Sequence, residues 1–211
     1  MASFDALSQA VVAGKEAQVV EYTKALVDAG VNPIEIINNG LIAGMNIVGP
    51  LFKNGDMFVP EVLMSAKAMA SGVDIVKRLI AEKDMPSSGK IVIATVKGDL
   101  HDIGKNLVAM MLESGGFTVI NLGIDIAPEV FAKAVKEHHP DIVGLSALLT
   151  TTMPNMKETI DVLKEEGLRE QVKIMVGGAP ISQEYADKIG ADAFAPDAAS
   201  AVEICKKLVN A

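Results

Sequence analysis

The sequence predicts two modules of different class. Residues 1–86 read as a four-helix bundle, and residues 89–211 as an α/β domain built on a doubly wound, five-stranded parallel sheet. Three observations carry this. Apolar residues recur with a helical period through the first 83 residues. A polar stretch, Asp84-Met85-Pro86-Ser87-Ser88-Gly89, then intervenes. Beyond it, short β-branched apolar runs alternate with helical segments.

The elements follow in order. Residues 4–13 and 16–29 carry weak helical patterns, separated by Gly14 and closed by Gly30-Val31-Asn32-Pro33. Ile34, Ile37, Leu41, Met45, Val48 and Phe52 then fall at three- and four-residue steps, one face of a helix. After Asn54-Gly55-Asp56, a second stripe runs through Val62, Leu63, Ala66, Met69, Val73, Val76 and Leu79. Pro33 and Pro60 suit first-turn positions. Short loops between such helices predict an antiparallel bundle. In the second module Lys90–Val96 is a β-branched run of the kind buried on both faces. Similar runs stand at Thr118–Leu122, Ile142–Ser146, Lys173–Val176 and, weakly, Ala193–Ala195. Helical segments lie near 104–115, 127–138, 154–167, 181–189 and 197–209. Right-handed crossovers then give a parallel sheet. Ligands of such sheets bind outside the carboxyl ends of the strands. The loops to watch are therefore 97–104, 122–127, 146–153, 177–180 and 195–197.

Composition bounds the function. The 211 residues are 50% hydrophobic and 22% charged, enough to bury a core. Lys plus Arg total 19 against 27 Asp plus Glu, a net charge of −8. Such an acidic chain gains little from counterion release, and it has no Trp, two Tyr and six Phe to stack bases, so no nucleic-acid partner is expected. The single cysteine, Cys205, excludes an intrachain disulfide and any multi-cysteine metal site. The start, Met1-Ala2-Ser3-Phe4-Asp5, has no basic region, and no apolar run approaches the ~20 residues of a membrane span. The expectation is a soluble, cytoplasmic protein with no membrane partner. The 11 Met suit core gaps or an adaptable surface.

The loop after the first strand reads Val96-Lys97-Gly98-Asp99-Leu100-His101-Asp102-Ile103-Gly104-Lys105-Asn106. It fails as a Walker loop, since five residues rather than four separate Gly98 from Gly104 and Asn106 follows Lys105. The three spaced glycines of a dinucleotide loop are also missing. What remains is a histidine between two aspartates at the expected ligand edge. A neutral imidazole there is either a ligand for cobalt or another late first-row metal, or a surface residue beside a helix start. Asp99, two residues away, is placed to fix the imidazole tautomer, and Gly104 to allow close backbone approach. His138 and His139, at a helix end before Pro140, read as structural. Ser146-Ala147-Leu148-Leu149-Thr150-Thr151-Thr152 and Gly177-Gly178 follow the third and fourth strands, either as plain turns or as ligand-facing segments.

Together, Asp99-x-His101-x-x-Gly104, Ser146-x-Leu148 and Gly177-Gly178 resemble the signature of corrinoid (vitamin B12) domains that bind the cofactor base-off and His-on. These domains have a Rossmann-like, flavodoxin-like fold. The helical segment before them resembles the cap of methionine synthase and of small corrinoid proteins in methyltransferase systems. Its stretch Leu51-Phe52-Lys53-Asn54-Gly55-Asp56-Met57-Phe58-Val59-Pro60-Glu61-Val62 is similar to the cofactor-facing segment of that cap. The resemblance covers essentially the whole chain. It implies that the cofactor is cobalamin or a related corrinoid and that His101 ligates cobalt from below, with Asp99 hydrogen-bonding that histidine. Asp102, Ile103 and Gly104 complete the cofactor loop. Ser146, Leu148 and Thr150 would line the slot for the displaced nucleotide tail, with Gly177 and Gly178 leaving room. Thr152 matches a position where methionine synthase has a serine linked to the Asp–His pair. Phe52, Val59 and Val62 match cap residues over the methyl face, where the helix pattern alone would put them in the bundle core. Methionine synthase has Leu where Val59 stands.

The resemblance implies a methyl shuttle, with cobalt cycling between Co(I) and methyl-Co(III). A substrate-specific methyltransferase would load the methyl group. A second methyltransferase would pass it to a thiol or tetrahydrofolate, and a reductive activase would restore Co(I). Residues 84–89 are the expected hinge of the cap. Other readings are the B12-binding subunit of an adenosylcobalamin-dependent mutase, which generally lacks such a cap, and a B12-dependent regulator, whose cap tends to be Trp-rich. A phosphorelay receiver would need an Asp ending the third strand and a Lys ending the fifth, where Ser146 and Ala195 stand.

Overall fold

The computed structural model describes residues 2–80 and 87–210. It divides into two compact units, with the break between Ser87 and Ser88. Asp84, Met85 and Pro86 of the expected hinge lie outside the described residues.

The first unit is helical. Helix α1 (Phe4–Val12) starts where the Ser3 hydroxyl accepts from the Ala6 amide at 3.1 Å, and α2 spans Glu16–Asp28. Gly14 joins them at φ +62°, and a Cβ there would stand 2.8 Å from Met64 Cβ, so the turn needs glycine for both conformation and space. The third helical segment is composite. Asn32 caps it and Pro33 occupies its first turn. α3 (Pro33–Glu35) passes through a π-helical stretch, Ile36–Ile42, into α4 (Ala43–Asn54). The wider π turn rotates the apolar stripe by about one residue. Ile36 thus joins Ile37, Leu41, Met45 and Val48 in the interior, while Ile34 is only half-buried. A one-period helical reading misses this. α5 (Val59–Lys77) begins with the Glu61 carboxylate accepting from the Phe58 amide at 2.8 Å. It buries Val62, Ala66, Met69 and Val76. Leu63 and Leu79 of the expected stripe are exposed, Leu79 because the helix ends at Lys77.

The second unit is a parallel sheet in the order β2-β1-β3-β4-β5. Its strands are β1 (Lys90–Val96), β2 (Thr118–Ile126), β3 (Ile142–Ser146), β4 (Lys173–Gly177) and β5 (Ala193–Ala195). The connecting helices are α6 (Ile103–Ser114), α7 (Pro128–His138), α8 (Pro154–Glu165), α9 (Gln183–Ile189) and α10 (Ala198–Val209). Alternate strand residues divide between two cores, as a period of two requires. Val92, Val143 and Ile174 pack with Phe131, Ile160 and Leu163 on one face. Ile91, Ile142 and Met175 pack with Leu112, Ala201 and Cys205 on the other. Burial of a side chain of this size stabilises by about 1.5–3 kcal/mol.

β2 departs from expectation. It runs on to Ile126 rather than ending at Leu122, so most of the expected 122–127 loop is strand. Ile93 pairs with Asn121 but Ala94 with Gly123, and Val96 with Ile126. Two extra residues on β2 mark bulges that bend its carboxyl end. Strand order reverses between β1 and β3, which places the loops after them at the switch point of the sheet. No helix among the described residues is long and apolar enough to cross a membrane.

Candidate functional site

The loop between β1 and α6 folds around one carboxylate. Asp99 is fully buried and accepts four hydrogen bonds. Its Oδ1 accepts from the His101 amide at 3.0 Å and pairs with His101 Nδ1 at 2.7 Å. Its Oδ2 accepts from the Leu148 amide and the Thr152 hydroxyl, each at 2.7 Å. Burial by itself would raise its pKa. The donors from Leu148, Thr152 and His101 outweigh burial and hold the carboxyl well below the usual carboxylate range. A carboxylate 2.7 Å from Nδ1 holds a proton on that nitrogen and leaves Nε2 outside the pair. The His101 side chain is 50% exposed.

Beside this loop lies a cavity of about 790 Å³ within the second unit. His101, Asp102, Ile103 and Gly104 line it from the β1 loop, Ser146 and Leu148 from β3 and its turn, and Gly177 and Gly178 from the end of β4. These eight expected residues are brought together. Parallel register explains part of this, since Thr95, Ser146 and Gly177 are consecutive partners across the sheet. Gly178 has φ +132°, and a Cβ there would run into the Ala147 carbonyl oxygen, so this wall tolerates only glycine. Thr152 lies under the loop as a donor to Asp99. Thr150 is exposed in the turn before α8 and does not line the cavity. Phe52, Val59 and Val62 belong to the first unit: Val62 is fully buried, Phe52 half-buried and Val59 exposed. His138 ends α7, where its carbonyl accepts from Lys90 Nζ at 2.7 Å, and His139 closes the helix at φ +46°.

Exposed apolar side chains, Leu100, Ile103, Leu148 and Leu149, surround this edge of the sheet. On a solvated protein surface such a cluster marks a binding face.

Several participants escaped sequence reasoning. Lys105 is almost fully buried, lines the cavity, and donates to Asn106 Oδ1 at 2.6 Å and Asn121 Oδ1 at 2.8 Å. Burial lowers its pKa, and Asp102 partly opposes the shift. Thr95 donates to the His101 carbonyl at 2.8 Å, and Asn155 Nδ2 to the Lys97 carbonyl at 2.8 Å. Asp125 accepts from the Gly98 amide at 2.7 Å. Lys105 stands in the β1 loop and Asp125 in the expected 122–127 loop, but their bonds, like those of Thr95 and Asn155, depend on register and bulges, which leave no local signature.

Known families match both units of the chain. A profile described as a B12 binding domain matches residues 89–206, and a second of that description matches residues 3–77. The chain is 46% identical to a corrinoid protein of Desulfitobacterium hafniense strain Y51, over 100% of this chain and 99% of that one. It is 51% identical to dimethylamine corrinoid protein 1 of Methanosarcina acetivorans, over 84% of each. Among solved structures it is similar to the methanol:cobalamin methyltransferase complex of Methanosarcina barkeri, with 33% identity and a TM-score of 0.89, covering 98% of this chain and 79% of that one. It is also similar to a cobalamin-binding protein of Desulfitobacterium hafniense DCB-2, with 36% identity and a TM-score of 0.81, covering 99% of each.

Proposed function

The chain belongs to the B12-binding corrinoid proteins of methyltransferase systems, and on that premise we propose that it is a methyl carrier holding its corrinoid base-off, with His101 on the cobalt. The observation that carries the proposal is the Asp99–His101 pair, 2.7 Å apart beside a large cavity, with the carboxylate buried and the imidazole half-exposed.

The residues present fit the group. One imidazole with a committed Nδ1 proton offers one nitrogen to a metal, and cobalt accepts such a ligand. A cavity of about 790 Å³ has room for a displaced nucleotide tail, and the Gly178 wall is one that a Cβ would close. Leu100, Ile103, Leu148 and Leu149 offer an apolar rim for a large macrocycle. When bound, the corrinoid supplies a cobalt that takes up and releases a methyl group; the hard chemistry is the cofactor's.

The chain's own residues orient and tune. Asp99 keeps the Nδ1 proton on His101 and fixes the orientation of its ring. Thr152 and the Leu148 amide hold that carboxylate ionised and oriented, so it keeps the His101 ring in one tautomer and one direction. Ser146, Leu148, Gly177 and Gly178 bind the tail, and Asp102, Ile103 and Gly104 form the approach to it. Phe52 and Val59 of the first unit are the candidates to shield the methyl group, while Val62 is fully buried.

The partners are a substrate-specific methyltransferase, a second methyltransferase that delivers the methyl group to a thiol or tetrahydrofolate, and a reductive activase. The setting is the cytoplasm. Two measurements test the reading. Protein reconstituted with cobalamin and reduced to Co(I) is offered candidate methyltransferases with their donors, and methylation is followed by absorption. His101→Ala is then compared with the parent. It should retain less cobalamin and show a changed spectrum; unchanged occupancy and spectrum would remove His101 from the axial role.

A further inference from the structure

Outside the Asp99–His101 pair, two side chains hold the backbone of the ligand loop from opposite sides. Thr95 is fully buried on β1, and its hydroxyl donates to the carbonyl of His101 itself at 2.8 Å. Asp125 stands at the bulged end of β2 and makes two reciprocal bonds. Its Oδ1 accepts from the Gly98 amide at 2.7 Å, and its own amide donates to the Asp99 carbonyl at 3.1 Å. Asp125 does this at φ +55°, a left-handed conformation that costs free energy in any residue but glycine. The second β2 bulge, between the Ala94–Gly123 and Val96–Ile126 pairs, brings it there.

We infer that Thr95 and Asp125 are positioning residues for the axial histidine, fixing the 98–101 backbone in its ligating conformation before the cofactor arrives. A five-residue turn such as Lys97–His101 would otherwise populate many conformations, and ordering it costs conformational entropy. Paying that cost in folding rather than in binding raises apparent affinity by the fraction of molecules already competent. The observed backbone bonds tie Gly98, Asp99 and His101 to β1 and β2. None of them involves the imidazole or either Asp99 carboxylate oxygen, so the device is separate from the hydrogen bonding of the His101 ring. The inference rests on the proposed axial role of His101.

The test uses the full chain loaded with cobalamin, with four variants beside His101→Ala. Thr95→Val keeps shape and removes the hydroxyl; Thr95→Ser restores it. Asp125→Ala removes the acceptor; Asp125→Asn keeps one and also tolerates the left-handed backbone. Thr95→Val and Asp125→Ala should each release cobalamin at least about fivefold faster, the effect of one lost hydrogen bond. Each should also lose part of the nitrogen hyperfine splitting that an axial imidazole gives to Co(II) in electron paramagnetic resonance. In the cofactor-free protein the Gly98 and His101 amides should exchange faster with solvent. Thr95→Ser and Asp125→Asn should stay within about twofold of the parent. Asp125 is exposed, so its variants read the effect even if a Thr95 substitution impairs folding. Parental release rates and hyperfine splitting in both Thr95→Val and Asp125→Ala, with His101→Ala altered, would overturn the inference alone. An unaltered His101→Ala would overturn the axial reading and this inference with it.

Discussion

Thr152 and Asp99, 53 residues apart in sequence, are joined by a 2.7 Å hydrogen bond from the threonine hydroxyl to a fully buried carboxylate oxygen. The same hydroxyl lies 2.9 Å from the Leu149 carbonyl. It has one proton to give, and the charged acceptor takes it by strength. Thr152→Ala should therefore cost about 1–3 kcal/mol, since it leaves a buried charge one donor short. Urea unfolding of the cofactor-free protein measures this. Thr152→Ser should recover most of the loss; a parental midpoint in the alanine variant would show that the other three donors suffice.

Gly178→Ala adds a Cβ against the Ala147 carbonyl at a backbone angle that side chains avoid. The expected outcome is a loss of about 2–4 kcal/mol together with weakened cobalamin binding, because strain and clash fall on the cavity wall. Gly167→Ala, at φ +69° but with open space around it, should lose less stability and leave cofactor binding alone. Thermal unfolding and spectroscopic titration separate the two effects.

Cys205 is fully buried beside Met175, with its thiol 3.6 Å from the methionine sulfur. Burial pushes its pKa up to about 12. In the native protein at pH 8 it should resist a disulfide reagent that labels the urea-unfolded chain at once. The raised pKa also sets a sign. The unfolded thiol ionises near pH ~9 while the folded one keeps its proton, so this stabilisation is whole below pH ~9 and is lost as pH rises toward 12, by at most ~1.4 kcal/mol per unit. Cys205→Ala should flatten that alkaline decline in a pH series of unfolding curves.

His139 closes α7 in the left-handed region at φ +46°. His139→Gly relieves that conformation and should raise stability by about 0.5–1 kcal/mol without changing the cobalamin spectrum. A spectral change would give this histidine a part in the site that the structure does not show.

How far the site was legible follows the range of the forces involved. Asp99, His101 and Gly104 stand within six residues, and their spacing is a local pattern. Gly177-Gly178 and Ser146-x-Leu148 were readable because a parallel sheet delivers the ends of its strands to one edge. Thr150 shows the limit. The resemblance implies a place for it in the slot, yet the chain has already left the strand and Thr150 is exposed. Thr95 and Asn155 were not legible, since each reaches the loop by a hydrogen bond whose existence depends on register; Asp125 stands in the expected 122–127 loop, but its bond to Gly98 depends on the β2 bulges.

The sequence by itself determined the class of each unit, the strand and helix order of the second, and the local ligand pattern. Periodicity and β-branched runs are set by which faces must leave water, and that demand is written residue by residue. Tertiary structure decided what the period does not encode. It set the π turn that carries Ile36 inward, the two bulges that prolong β2 to Ile126, and the donors that converge on Asp99 from Leu148 and Thr152. A buried carboxylate can be charged only where distant donors meet it, and only the closed fold brings them there.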